Sequence, residues 1–584
     1  MVYLILTGRL LIMNSFNRIT KLRDLLKQYN IDGYLVPSYD EFRSEYPPKS
    51  LQRLEWLTGF TGSNGLLIIK EEKLIFLTDS RYLLQAAQQL GNKYQILDMA
   101  DEASWSKVTK IINGSCILGY DPMIESVNSM QYHQRMLSRE NIQLQGVKEN
   151  LVDLIWVDKP KLESKKILRL AKKEAGLSTG EKLEQLLSKM GKNIDYLLVT
   201  QLDSICWLLN IRGFDIKYSP LILAYLMIKK TGEVYLFSNS VAEKIEGVEV
   251  LKLNQIKEFF IELIISGSTI QASTAVSYWF KETAGTGLFI KEDIIESLKA
   301  CKNEVEIENI KQTHFLDGLA LCRFICWLDV HIGKVTEISA AEELLKFRQM
   351  AKNFVDLSFT TISAFAENGA VVHYKPSKKT DKTITKDNLY LLDSGGQYKF
   401  GTTDVTRTFC FGSPNIEQKR NYTLVLKGLI RLSQLKFPIG TNGAQLDSLA
   451  RLDLWQYGLD YGHSTGHGVG YFLSVHEGPG TFSRSGSAPL RVGMVTSNEP
   501  GYYKEGAYGM RIENLMLVVE SETKGFLEFE TLTLVPIPHN LVDFDLLDNR
   551  EKAWLQNYNQ KVFERMSPHL TAEERNRLQS ICHC

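Results

Sequence analysis

A chain of 584 residues exceeds what one hydrophobic core usually organises, and 44% hydrophobic with 23% charged residues gives enough apolar material for three or four globular domains. Lys plus Arg number 68 and Asp plus Glu number 68, a net charge of zero that argues against nucleic acid or an anionic membrane surface as the main partner. The 8 cysteines are too few and too scattered for a disulfide framework, which points to a reducing cytoplasm, and no run of about 18 apolar residues is available to cross a membrane.

Residues 1–12 are apolar but broken by Arg9, lack the basic-then-apolar order of a signal peptide, and are expected to be a disordered tail or an upstream start ahead of Met13. A helical pattern over Ser15–Gln28 then feeds the short apolar run Ile31–Val36, followed by Trp56-Leu57-Thr58-Gly59 and a strand over Lys73–Thr78. The same order returns downstream: a helix over Ser178–Gly191, the run Ile194–Val199, Trp207-Leu208 with Gly213, and a strand over Glu233–Phe237. This weak duplication predicts two similar α/β domains in tandem, at 13–160 and 161–300. From Glu304 the spacing of apolar residues predicts one long amphipathic helix to about residue 328, opening a domain at 301–540 whose strands are punctuated by glycine. Cys322 and Cys326 fall in that helix and Cys410 in a strand, as buried thiols do. Residues 541–584 read as a polar helical extension with Trp554, Leu555 and Tyr558 as apolar anchors, and Ile581-Cys582-His583-Cys584 reads as a frayed end rather than a metal catch.

The chemistry gathers in the third domain. Four of the 10 histidines lie between 373 and 476, among glycines rather than along a helix face. Leu389–Tyr398 is a strand bearing Asp393, and Gly401–Phe409 is a return strand bearing Asp404, a hairpin that can set two carboxylates side by side. Two like charges held together cost energy unless a cation stands between them, although taken alone each aspartate could be a turn or cap residue. Ser464-Thr-Gly-His467-Gly-Val-Gly470 lets an imidazole reach inward, Ser497-Asn-Glu499-Pro-Gly sets a carboxylate before a turn, and Gly509-Met-Arg-Ile-Glu513-Asn514 sets another in a core-bound strand. Four carboxylates and one imidazole suit Mn²⁺ or a similar ion better than a thiolate-seeking one, and two such ions can activate a water for attack on a carbonyl.

In this order the motifs resemble the pita-bread metallopeptidases, in the aminopeptidase P (Xaa-Pro aminopeptidase) branch. The resemblance extends to Phe354–Ser363 with His373-Tyr374, to Val475-His476-Glu-Gly-Pro479, to the N-terminal Ser44-Glu45-Tyr46 and Thr78–Tyr82 stretches, and to the tail, where Trp554–Tyr558 and Ser567-Pro568 match the long cytosolic subtype. The chain departs from the family at Phe365-Ala-Glu-Asn-Gly369, where a Gly-Pro-Asn-Gly-like loop is usual, and at His463-Ser464-Thr465, in place of His-Gly-Thr. The resemblance implies a mixed α/β and α+β class: two creatinase-like N-terminal domains, a pita-bread catalytic domain and a C-terminal extension. It implies two divalent ions per chain, Mn²⁺ by expectation, with Asp404 and Glu513 bridging both, Asp393 on one, and His467 and Glu499 on the other. Glu499 would also handle the proton of the attacking water, while His373, His463 and His476 line the substrate site. The implied substrates are peptides with proline in second position, and the implied assembly is a cytoplasmic homodimer. For that dimer Trp554, Leu555 and Tyr558 are either contacts or anchors of the tail to its own domain.

Three rivals are weaker. Gly462-His-Ser464-Thr-Gly466 matches a serine-hydrolase elbow, but three glycines within Gly466-His-Gly468-Val-Gly470 make a poor helix where that motif needs one. Non-catalytic relatives of the fold have lost metal ligands, whereas all five stand here. A prolidase shares the ligand set but has one N-terminal domain, not the two expected here.

Overall fold

The computed structural model describes residues 2–137, 141–162, 166–241 and 244–582; His583 and Cys584 of the expected frayed end lie outside them. The chain divides into two units, the first made of Met1–Arg169, Thr179–Lys217 and Leu221–Ile294, the second of Leu170–Ser178, Tyr218–Pro220 and Ile295–Cys584.

The first unit holds two six-stranded sheets of one topology. In the first the order is Gln95–Asp98, Leu74–Thr78, Leu66–Lys70, Gly33–Pro37, Cys116–Tyr120, Ile142–Gly146; in the second it is Val248–Leu251, Val234–Ser238, Ala224–Lys229, Tyr196–Val199, Ile270–Ala272, Leu288–Ile290. Reading across either sheet, neighbours run parallel, antiparallel, antiparallel, parallel, parallel. The duplication expected from the sequence is therefore real at the level of strand order. Each Trp-Leu pair sits in the short helix after the first strand of its sheet, Arg53–Thr58 or Leu202–Leu208. The first strands are continuous apolar runs because both of their faces are covered.

The first helix spans Val2–Gln28, so residues 2–12, expected as a loose tail, continue the helix expected only from Ser15. Good helix formers, Leu, Ile and Met, fill the join, and no proline interrupts it.

The second unit is built on antiparallel sheets. Ile362–Phe365, Leu389–Ser394 and Val405–Cys410 form one three-stranded sheet, and Phe354–Leu357, Gly396–Tyr398 and Gly401–Thr402 form another. A six-stranded sheet runs Lys436–Pro438, Phe526–Thr531, Asn514–Glu520, Val495–Asn498, Gly466–Gly468, Glu477–Phe482, and Gly501–Lys504 pairs with Tyr508–Arg511. Helices Glu304–His331, Glu337–Gln349, Ile416–Ser433 and Gly443–Gln456 accompany them.

The long helix opens on a capping box in which Asn303 and Glu306 bond each other's backbone N–H. It is not one-faced, as its spacing suggested. From Ala320 to Leu328 it is buried on every side but that of Arg323 and Trp327, and Gly318 lets Leu534 O approach to within 2.6 Å of where a Cβ would stand.

The C-terminal helices Asn549–Met566 and Ala572–Cys582 close this core rather than hang from it. Leu555 is fully buried and Trp554 packs against the same cluster. The Tyr558 hydroxyl, held by Arg407 at 2.9 Å, donates to Val535 O at 2.8 Å. Of the two roles considered for Trp554, Leu555 and Tyr558, anchoring the tail to its own unit is the one they fill. Leu555→Ala is expected to lower stability by about 2–5 kcal/mol in denaturant melts without changing the mass seen by light scattering; an unchanged midpoint with a halved mass would return Leu555 to an intermolecular contact.

Candidate metal centre

The strands of the second unit break where its acidic residues stand. Asp393 is the penultimate residue of Leu389–Ser394, opposite Thr406 on one side and Ile362 on the other. Asp404 falls between Gly401–Thr402 and Val405–Cys410, in a gap of the ladder. Gly395 makes that gap possible, since a Cβ there would collide with Thr403 O. Glu499 follows Val495–Asn498 and Glu513 separates Tyr508–Arg511 from Asn514–Glu520, so each carboxylate sits at or beside a strand end and is free to turn inward. Glu513, expected within a strand, lies instead at this junction.

His467 is the middle residue of Gly466–Gly468, with its backbone N–H on Ser497 Oγ at 2.9 Å. Its Nδ1–H donates to Gly468 O at 2.9 Å, which turns Nε2 toward Asp404 Oδ2 at 3.5 Å and Glu499 Oε1 at 3.4 Å. Ligand atoms of Asp404, His467 and Glu513 all lie within 4.8 Å of one another. Glu513 Oε2 accepts from Thr406 Oγ1 at 2.8 Å, and Glu499 Oε1 accepts from Ser497 Oγ at 2.9 Å. Three oxygens, Asp393 Oδ1, Asp404 Oδ1 and Glu513 Oε1, are buried with no hydrogen-bond donor.

Burial pushes the Asp404 and Glu513 carboxyls well above the usual range, and the neighbouring carboxylates push them further. Burial raises Glu499 too, against the opposing pull of His467 and Arg511. Buried, undonated oxygens that repel one another are what a divalent cation relieves, and a donor set of oxygens plus one imidazole without thiolate fits a hard ion.

One cation is built in. Arg511 is buried, its Nη2 donates to Asp393 Oδ2 at 2.6 Å, its Nε to Thr406 Oγ1 at 3.1 Å and its Nη1 to Tyr503 OH at 2.5 Å. Burial opposes its charge, yet Tyr503, Asp393, Glu499 and Glu513 hold its pKa well above the ordinary value. The same Tyr503 hydroxyl meets His463 Nε2 at 2.8 Å, and burial pushes that phenol up to about 12.

The remaining sequence-derived residues fall around this set. His476 stands edge-on to His467, ring centroids 4.4 Å apart at 88°. His463 lies between the rings of Tyr461 and Tyr503. His373 is half-buried in a turn after Ala366–Ala370, a loop whose Gly369 rests on Gly509 of Tyr508–Arg511. That loop is held by Glu337, whose fully buried carboxylate accepts from Phe365 N at 2.6 Å, Tyr374 OH at 3.0 Å, Lys382 N at 3.1 Å and Asn368 Nδ2 at 2.9 Å. Ser464 is exposed and leads into a strand, not a helix, so the residues around it form no nucleophile elbow.

Arg511, Tyr503 and Glu337 also stand at or around this set, although no motif in the sequence singles them out. Arg511 carried the same signal as Glu513, a charge in an otherwise apolar strand. Glu337 carried none, since an acid in a first helical turn is ordinary.

Metallopeptidase family M24 matches residues 308–520, its C-terminal region residues 525–583, and the creatinase/prolidase N-terminal domain twice, at 18–153 and 158–306. A probable Xaa-Pro aminopeptidase P of Laccaria bicolor is 38% identical over 96% of this chain and 92% of its own length. One of Coprinopsis cinerea is 37% identical over 96% and 97%. The X-prolyl aminopeptidase of Caenorhabditis elegans, described as a cytosolic enzyme with a di-nuclear active site, superposes with a TM-score of 0.93 at 32% identity, covering 98% of this chain and 99% of that one. With two N-terminal domains of one topology ahead of an antiparallel catalytic unit, and with these relatives matched end to end, the chain belongs to metallopeptidase family M24, in its aminopeptidase P branch, and is a peptidase.

Proposed function

We propose that the chain hydrolyses the bond between an N-terminal residue and a following proline, with a pair of divalent ions held by Asp393, Asp404, His467, Glu499 and Glu513. The observation that carries this reading is the convergence of these side chains around three buried carboxylate oxygens that lack any donor. Asp404 and Glu513 are assigned to both ions, Asp393 to one, His467 and Glu499 to the other. Bound there, two such ions, Mn²⁺ by expectation, supply a water acidic enough to ionise near neutrality and a Lewis acid for the scissile carbonyl.

The chain's own groups do the rest. Ser497 Oγ fixes the direction of the Glu499 carboxylate at 2.9 Å, which suits it to receive a proton from the attacking water. Arg511 holds Asp393 in place and neutralises part of the acidic set. His373, His463 and His476 are assigned to the substrate carbonyl and the negative charge that develops on its oxygen. An Xaa-Pro bond has no N–H for a peptidase to grip, so recognition falls on the carbonyl and on the free α-amino group, which the acidic set attracts. That attraction confines cleavage to the first bond.

Cytoplasmic residence and a homodimer complete the reading. The Caenorhabditis elegans relative is described as cytosolic, and among the described residues no helix is long and apolar enough to cross a membrane. A dimer has to use surfaces other than the buried Leu555.

Purified protein with Mn²⁺ is expected to release arginine from Arg-Pro-Pro and to lose that activity in chelator. Cleavage of Gly-Pro alone would make it a dipeptidase of the prolidase kind, and cleavage of neither would leave a binding protein. Asp404→Asn and Glu513→Gln should each lower the metal content measured by mass spectrometry and reduce turnover by more than about 100-fold, the loss that even outer partners of metal ligands can reach. Stability should report the same site. Because Asp404, Glu499 and Glu513 have pKa values raised by folding, the metal-free folded chain binds more protons than the unfolded one above the ordinary carboxylate range. Their contribution to stability is present at low pH and disappears as pH rises through the raised values. The gap in melting temperature between metal-loaded and metal-free protein should therefore widen from about pH 5.5 to about pH 8; a gap independent of pH would count against a shared acidic site.

A further inference from the structure

Beside the two facing histidines lies a second set of buried charges that the reaction leaves unused. Lys299 and Lys302 are 2% and 6% exposed, and Glu477 is 3% exposed. Lysines buried so far need a partner, and both find the same one. Lys302 Nζ lies 2.5 Å from Glu477 Oε1, and Lys299 Nζ lies 3.2 Å from Oε2. Glu477 directly follows His476 and opens Glu477–Phe482, where it pairs with Gly468 of the strand that carries His467. Its carboxylate also fills the space beside Gly470, where a Cβ would stand 3.2 Å from Oε2. Glu477 is thus fastened to both histidine-bearing segments.

The lysines reach it from elsewhere in the unit. They stand at the end of Ile294–Ala300 and just before the Asn303 cap of Glu304–His331. Lys302 N donates to Gly493 O at 2.9 Å, and Lys302 O lies so near Gly493 that a Cβ would meet it at 2.7 Å. On the other side of the strand the Glu296 carboxylate abuts Gly478. A buried ion cluster of this kind is a poor source of net stability, because desolvating the ions offsets their attraction. What it supplies is a fixed position, and a misplacement of about 1 Å near reacting atoms can cost about 100-fold in rate.

We propose that Glu477, clamped by Lys299 and Lys302, is a positioning residue that fixes the His476 ring against His467 and so aims it at the substrate carbonyl. The proposal rests on the reading in which His476 steadies the charge that develops there.

Replacing the whole triad with apolar chains, Lys299→Met, Lys302→Met and Glu477→Leu together, removes the charges without stranding any of the three. The fold is expected to survive, with metal content unchanged. On Arg-Pro-Pro, kcat should fall about 10–100-fold while KM moves less than about threefold. In a His476→Ala background the same triple change should cost less than about threefold more, because the residue it positions is gone. A crystal structure of the metal-free triple variant should show the His476 ring displaced from its edge-on place beside His467, a readout independent of activity. A folded triple variant with full kcat, an equal loss with and without His476, or an undisplaced ring would each overturn the proposal. If the triple variant fails to fold, the cycle of Glu477→Gln with His476→Ala decides instead: strong non-additivity supports positioning and additivity overturns it. A wild-type protein that cleaves no Xaa-Pro peptide overturns the functional reading, and that result is seen before any residue of the triad is changed.

Discussion

Three buried carboxylates, with a fourth partly buried beside them, are the constraint on which the second unit depends. Burial raises the proton affinity of Asp404, Glu499 and Glu513, and the neighbouring carboxylates raise it further. In water such charges would drift apart; in a low-dielectric interior their repulsion is strong and must be answered locally. Arg511 answers part of it through Asp393, and the His467 imidazole faces Asp404 and Glu499. The remaining demand, three buried oxygens without donors, is one that a divalent cation would meet and a salt-bridge network would not.

Holding those charges together requires a scaffold that cannot relax, and the fold supplies it from several directions. Arg407 is buried one residue from Thr406 and donates to Glu513 O at 2.6 Å, to Pro536 O at 3.0 Å and to Tyr558 OH at 2.9 Å. It joins the strand beside Asp404, the junction bearing Glu513 and the C-terminal helix. Asp317 on the long helix bonds Arg348 Nε at 2.8 Å and Tyr398 OH at 2.7 Å, and Arg348 reaches Ser394, the neighbour of Asp393, at 3.1 Å. The C-terminal helices therefore belong to the catalytic machinery in a mechanical sense. Their Tyr558 completes the hydrogen bonding of an arginine that supports Glu513.

Glu337, Asp317 and Glu477 share one physical logic. Each is a carboxylate buried away from solvent beside hydrogen-bond donors or cations, and each is tied to a segment that bears or adjoins a candidate site residue: the His373 loop, the Asp393 strand, the strand that follows His476. Polar groups buried in this way add little net stability, but they admit few alternative arrangements. The two N-terminal sheets show the contrasting economy, with central strands of continuous apolar residues and a topology used twice.

Much of this was readable in the residues themselves. A hairpin that could pair Asp393 with Asp404, the placing of Glu499 before a Pro-Gly turn and of Glu513 in a core-bound stretch, and the family resemblance they add up to marked the acidic set, while the repeated helix, apolar run and Trp-Leu order marked the duplicated sheets. Period and composition are local properties, and a chain carries them whatever its fold. Partners are not local. That Arg511 pairs with Asp393, that Glu337 rather than any nearer residue shapes the His373 loop, and that Lys299 and Lys302 meet at Glu477 depend on contacts across 118, 28 to 45 and about 175 residues of chain. The long helix looked amphipathic because its spacing records only where apolar residues fall, not how many neighbours will cover it. Leu555 and Tyr558 looked equally suited to a partner or to their own core for the same reason. Side-chain chemistry gave reason to expect a cation site; only the folded chain, by choosing which charges lie together in a medium too poor in water to screen them, decided which groups stand where such an ion would be held.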